Sequence, residues 1–211
     1  VPTLAEARRG IVQVCRRLHE RGLIAGQDGN VSVRLGPDRL LVTPAGLSKV
    51  DVQPGDLVEV SLDGGHRKGT RRATSELAVH LAIHRGRPDV GAVVHAHPPA
   101  ATGFALAGET LPENALPELV YSVGPVAMVP FAMPGTQELA DRFTPWLAGH
   151  DAWLMANHGA VTAGPTLLVA HQRMESLEHA ARIILAARAL GRVVPFSPGM
   201  GPSDEKAQPD L

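Results

Sequence analysis

Apolar residues recur at spacings of three and four through Leu4, Ala7, Ile11, Val14, Cys15 and Leu18. That stripe predicts an amphipathic helix over 3–20, with Gly22 as its stop. The period then changes. After the glycine-rich stretch GLIAGQDGN come two short runs of strand character, VSVRL and RLLVTP, with Pro37-Asp38 as the turn between them. A third strand, DLVEVSL, ends at Asp63-Gly64-Gly65. TSELAVHLAIHR restores the helical period, with Thr74 or Ser75 as its cap and Glu76 in its first turn. GAVVHAH is an unbroken apolar run closed by Pro98-Pro99, which predicts a buried strand. A short apolar helix, a strand at GPVAMVPF, a helix opening at Thr136, a strand at DAWLMANHG and a long helix over 165–191 follow. The last twenty residues have no period and are expected to be flexible. Hairpin-linked strands early and helix-separated strands later predict an α/β fold, one sheet covered by helices on both faces. The expected organisation is a single domain over 1–192 and a tail over 193–211.

Composition narrows the function classes. The 211 residues suit one large domain. Twenty Lys and Arg stand against 21 Asp and Glu, which argues against a general nucleic-acid binder. No run approaches the ~18 apolar residues of a membrane span. No apolar leader opens the chain, so a cytoplasmic protein is expected. Cys15, the one cysteine, falls on the apolar face of the first helix and reads as core packing. Trp146, Trp153 and the methionines are core candidates.

Several polar groups interrupt this pattern at element ends. His95 and His97, two apart on a strand, share one face. They are either two hydrogen-bonded histidines at a strand end or half of a metal site. MANHGAV supplies a third histidine, His158, also at the end of an apolar run. Strand ends of this kind converge on one edge of a sheet if the strands are neighbours. Glu76 is either a helix-start charge or a carboxylate placed for a metal and for proton transfer. Gly26, Gly29 and Asn30, the turn at Ala45-Gly46, and the Thr74-Ser75 hydroxyls each offer donors to an anion, though turns and caps explain them as well. His80, His84, His171, His179, His19, His66 and His150 read as background.

Taken together, GNVSVR, VTPAG, TSE, HAHP, PGT and NHG occur in an order that resembles the class II aldolase/adducin family, over about residues 4–190. Within it the chain is most similar to the L-fuculose-1-phosphate aldolases. The resemblance implies a three-layer fold with a central, mainly antiparallel sheet of about nine strands. It implies a homotetramer with active sites at subunit interfaces. It assigns zinc, with cobalt or manganese as substitutes, to His95, His97 and His158. Glu76 becomes the acid/base and a resting-state metal ligand, and Gly29, Asn30, Gly46, Thr74 and Ser75 the phosphate site. The implied activity is that of an aldehyde-lyase, reversibly cleaving a ketose 1-phosphate to dihydroxyacetone phosphate and an aldehyde such as L-lactaldehyde. The alternative is decarboxylation or dehydration of a phosphorylated sugar or sugar acid on the same metal. The family's epimerases carry Asp at the Glu76 position and an ADYFYG-like segment, and its adducin-like members lack the histidines, so both readings are disfavoured. Gln27 and Asp28 stand where the fuculose-phosphate enzymes usually read Thr-Ala, which makes them candidate specificity positions. Tyr121, the only tyrosine, is the candidate for the proton donor that those aldolases take from tyrosine.

Overall fold

The computed structural model describes residues 1–196. Helix α1 (Leu4–Glu20) leads into strands β1 (Asn30–Gly36), β2 (Arg39–Val42), β3 (Val58–Val60) and β4 (His66–Lys68). Then follow α2 (Leu77–Gly86), β5 (Ala92–Ala96), α3 (Pro99–Ala107), α4 (Pro117–Ser122), β6 (Val126–Val129), α5 (Gln137–Phe143), β7 (Ala152–Met155), β8 (Gly159–Gly164) and α6 (Leu167–Ala189). The strands form one sheet in the order β4-β3-β2-β1-β5-β8-β7-β6. Every neighbouring pair is antiparallel except β6 and β7. The sheet is the expected central, mainly antiparallel one, with eight strands among the described residues rather than about nine.

Alternation along the strands divides the core. Ala92, Val94 and Ala96 of β5 face α1, α3 and α6, in a cluster with Ile11, Cys15, Phe104, Met174 and Leu177. Val93 faces the other way, into a cluster with Val79 and Ile83 of α2, Phe143 of α5 and Trp153. Strands buried on both faces read as continuous apolar runs, which is why β5 carries no visible alternation. Helix α1 starts at a capping box: Thr3 Oγ1 accepts from Glu6 N at 3.3 Å, and Glu6 Oε2 accepts from Thr3 N at 2.8 Å. Such a cap contributes about 1 kcal/mol.

Three elements have no counterpart in the sequence reading: β4, α4 and β8. β8 is GAVTAG, small residues without a period, made a strand by its pairing to β5 and β7. Met155, Met174 and Trp153 are core residues as expected. Trp146 is only partly buried, and Met133 is exposed. At the far end, Phe196 N donates to Asn114 O at 2.9 Å and Val193 packs on the core. The rest of the expected tail, 197–211, lies outside the described residues.

Candidate active site

The chain's chemistry gathers at the edge where β5 and β7 end and β1 and β8 begin. β5 and β7 both pair antiparallel with β8, so they run parallel to each other and their carboxyl ends meet. His95 is the penultimate residue of β5 and His97 follows its last. His158 sits in the turn joining β7 to β8. That turn requires its sequence. Asn157 takes a positive φ of 57°, tolerable for asparagine. Gly159 leaves space for both other rings: a Cβ there would stand 2.6 Å from His97 Cδ2 and 2.7 Å from Ala96 O.

The three imidazoles meet at ring-centroid separations of 4.9, 4.9 and 5.1 Å. One ligand atom from each lies within 4.8 Å of the others. Glu76 closes the cluster, with Oε2 3.1 Å from His95 Nε2 and Oε1 3.2 Å from His158 Nε2. His97 Nε2 is 3.1 Å from His95 Nε2. His95 Nδ1–H donates to Ala160 O at 2.9 Å, which leaves the Nε2 lone pair pointing inward. Burial pushes His95 down to about 4, so it is neutral at pH 7. Burial alone would raise the Glu76 carboxyl, but in acid the positive field of His95 and the hydrogen bond from His158 outweigh it and hold the group well below the usual carboxylate range. An ionised carboxylate facing an imidazole lone pair is unfavourable unless a cation lies between them. Three imidazole nitrogens and a carboxylate are a donor set that fits zinc. The outer nitrogen of His97, Nδ1, faces Asp28 Oδ2 at 3.4 Å, an outer carboxylate of the kind that orients metal-bound histidines.

Beside the cluster lies a cleft of about 250 Å³ lined by Gln27, Asp28, Gly29, Asn30, Gly46, Thr74, Ser75, Glu76 and His97, together with Lys49 and two further turn residues. Every anion-site residue named from the sequence lies here except Gly26. Gly29 has φ +73°, and a Cβ on it would stand 2.7 Å from Ile24 Cγ2 and 2.9 Å from His95 O, so the turn needs glycine to approach β5. The Gly46 turn and the Thr74 segment run side by side: Thr74 N donates to Thr43 O at 3.0 Å, and Ala45 N to Arg72 O at 3.0 Å. Neither Thr74 nor Ser75 caps α2. Glu76 is the N-cap residue itself, one position before the first turn, and its N donates to Thr74 Oγ1 at 3.3 Å. The Thr74 hydroxyl thereby gives an acceptor to an amide that has none within the helix.

Two residues read as background prove part of the site's support. His80, four residues after Glu76 on α2, donates from Nε2 to Asn30 Oδ1 at 2.5 Å. Its Nδ1 meets Ser32 Oγ at 2.7 Å, and Ser32 Oγ meets His84 Nε2 at 2.9 Å. With its oxygen engaged by His80, Asn30 has its NH2 donors left for the cleft. Lys49 was missed altogether, because a lone lysine after a glycine turn carries no periodic signal. Tyr121 is not brought to the cluster within this chain. It lies on α4, 66% exposed, with no hydrogen bond among the described residues.

Residues 9–185 match the family described as class II aldolase and adducin N-terminal domain. The chain belongs to the class II aldolase and adducin family. It is 37% identical over 163 residues to the 5-methylthioribulose-1-phosphate/5-deoxyribulose-1-phosphate aldolase of Rhodospirillum rubrum, covering 77% of this chain and 73% of that one. It is 33% identical over 179 residues to the 3-oxo-tetronate 4-phosphate decarboxylase of Haemophilus influenzae, covering 82% and 84%. A solved L-fuculose 1-phosphate aldolase superposes with a TM-score of 0.86, at 29% identity and over 91% of each chain. This class II aldolase-family chain thus has aldolases and a decarboxylase of sugar phosphates among its relatives. No described helix is long and apolar enough to cross a membrane.

Proposed function

We propose that this chain is a metal-dependent aldehyde-lyase that reversibly cleaves a ketose 1-phosphate to dihydroxyacetone phosphate and a short aldehyde. The observation that carries this reading is the convergence of His95, His97 and His158 on the Glu76 carboxylate, beside a cleft of hydroxyl and amide donors. When bound there, a divalent metal supplies Lewis-acid stabilisation of the charge that develops on the substrate's carbonyl side. Zinc suits the donors, with cobalt or manganese as substitutes. The chain's own groups do the rest. The three histidines fix the position of the reacting end. Glu76, ionised, holds and returns the proton at the carbon that becomes nucleophilic. The Gly29 and Gly46 amides, the Asn30 NH2 and the Thr74 and Ser75 hydroxyls hold the phosphate, and that remote binding orients the scissile bond. Asp28 orients His97, and Gln27 borders the same cleft as a specificity position.

We assign the aldehyde-side proton to Tyr121 acting across a subunit interface in a homotetramer. Its exposure on α4 suits such a role, and so do the exposed Phe131 and Met133 beside the 134–136 loop that packs on Ser75. Sedimentation should then report four times the chain mass of 22.2 kDa. We place the enzyme in the cytoplasm and its domain over 1–192.

L-Fuculose 1-phosphate, a six-carbon substrate, would release L-lactaldehyde. 5-Deoxyribulose 1-phosphate, with five carbons, would release acetaldehyde. A panel of ketose 1-phosphates, with coupled detection of dihydroxyacetone phosphate and with or without chelator, tests the reading. The second reading, decarboxylation of a phosphorylated 3-oxo acid, is favoured by the Haemophilus influenzae relative's activity. Carbon dioxide release from such an acid, with no dihydroxyacetone phosphate from any ketose, would replace the first reading with the second.

A further inference from the structure

Lys49 is a buried cation that forms no ion pair among the described residues. Only 4% of it is exposed. Its Nζ donates to Gln27 O at 2.7 Å and to Leu47 O at 2.9 Å, so two of its three N–H donors are spent on backbone carbonyls. Among the described residues no carboxylate oxygen lies within 4.0 Å of it: Asp28 is turned to His97, and Glu76 to His95 and His158. Burying an ammonium without a contacting carboxylate costs free energy, and burial holds this one below its ordinary range despite the opposing fields of Asp28 and Glu76. Yet Lys49 lines the cleft, together with both glycine turns and the Thr74-Ser75 hydroxyls. The other ionised side chains lining it, Asp28 and Glu76, are negative and would repel an anion.

We propose that Lys49 is the cationic anchor of the substrate's phosphate, donating its remaining N–H to a phosphate oxygen and offsetting the Asp28 charge. The inference rests on the sugar-phosphate reading above. It also accounts for the two carbonyl bonds, which hold the ammonium in place between the 26–30 turn and the 44–49 turn before any ligand arrives. The competing role is that of a strut, in which Lys49 does no more than tie Gln27 to Leu47.

Inorganic phosphate titrated calorimetrically into the zinc-loaded protein separates these roles. Lys49→Gln keeps an amide donor and removes the charge, whereas Lys49→Arg keeps the charge. The anchor predicts that Lys49→Gln weakens phosphate binding by roughly tenfold or more, as for loss of a hydrogen bond to a charged group. It also predicts that Lys49→Arg retains most of the affinity, and that zinc content is unchanged in both. Added salt should weaken the wild-type protein more than Lys49→Gln. Equal phosphate affinity in wild type and Lys49→Gln would make Lys49 a strut and leave the phosphate site standing. No phosphate uptake by the wild-type protein would remove the sugar-phosphate reading and this inference with it. If Lys49→Gln does not fold, the Nζ resonance of the 15N-lysine-labelled wild-type protein decides: it moves on phosphate addition if Lys49 is the anchor and stays fixed if it is not.

Discussion

Glu76 touches two of the three histidines and lines the cleft, so one side chain joins the metal cluster to the substrate space. Glu76→Gln keeps the shape and removes the base. Turnover should fall by about 10²–10⁴-fold, the usual range for a general acid/base, with zinc stoichiometry retained. A kcat close to wild type would remove Glu76 from proton transfer. Asp28 makes a separable contribution through His97 Nδ1. Asp28→Asn should weaken metal affinity by roughly 10–100-fold, as loss of an outer-shell partner does. Competition with a metal-binding dye reads this directly, and the cobalt-loaded variant should show an altered ligand-field spectrum. Unchanged affinity would show that the His97–Asp28 approach does not tune the metal. These two side chains differ in legibility. Glu76 stood out because a carboxylate opens a helix beside two hydroxyls. Asp28 stood out only as a departure from the family's usual residue, and the structure turns it toward the histidine.

At the scale of elements, α3 begins immediately after His97-Pro98 and has no local side chain to cap it. Its cap comes from 78 residues away. Glu178 of α6, almost wholly buried, accepts from Ala100 N at 3.2 and 3.0 Å and from Ala101 N at 3.0 Å. Its other partner is Arg182 Nε at 2.7 Å. Glu178→Ala would leave two buried amides without an acceptor. It should destabilise the fold by about 1–3 kcal/mol, measured by urea unfolding. A loss below that range would mean water replaces the carboxylate. Periodicity located α1, α2, α5 and α6 because each has an apolar stripe or a long run of helix formers. It could not locate β8, whose glycines, alanines, single valine and single threonine become a strand through the flanking β5 and β7 ladders. β4, exposed along its length, offered no hydrophobic signal at all.

At the scale of the molecule, His80 and His84 are both buried under α2 against β1, facing Asn30, Ser32 and Arg34 and within the field of His95 and Glu76. Burial pushes each from the ordinary 6.5 down to about 3. Folded, they stay neutral through mildly acid pH, while the unfolded chain protonates them. The unfolded state therefore binds more protons between the two values. Stability is full above pH 6.5 and falls as pH drops through that window, by about 1.4 kcal/mol per pH unit for each histidine. Urea midpoints compared at pH 7 and pH 5 check the sign. A midpoint that rises on acidification would mean that the pair is charged in the folded state.

The sequence by itself determined the layered α/β class, the helical and β runs with strong periodicity, and the list of residues from which the site is made. Those features are local: a stripe, an apolar run, a glycine turn or a capping hydroxyl is legible within a dozen residues. Only the tertiary structure decided which of them meet. His95 and His158 approach because β8 pairs with both β5 and β7, a register set by hydrogen bonds between distant segments. Lys49 and His80 joined the site for the same reason, one through the Gln27 carbonyl of another turn and the other through Asn30 on β1. A lone lysine or a helix-face histidine has no meaning in the chain until packing removes it from water and leaves its polar atoms with a single place to bond.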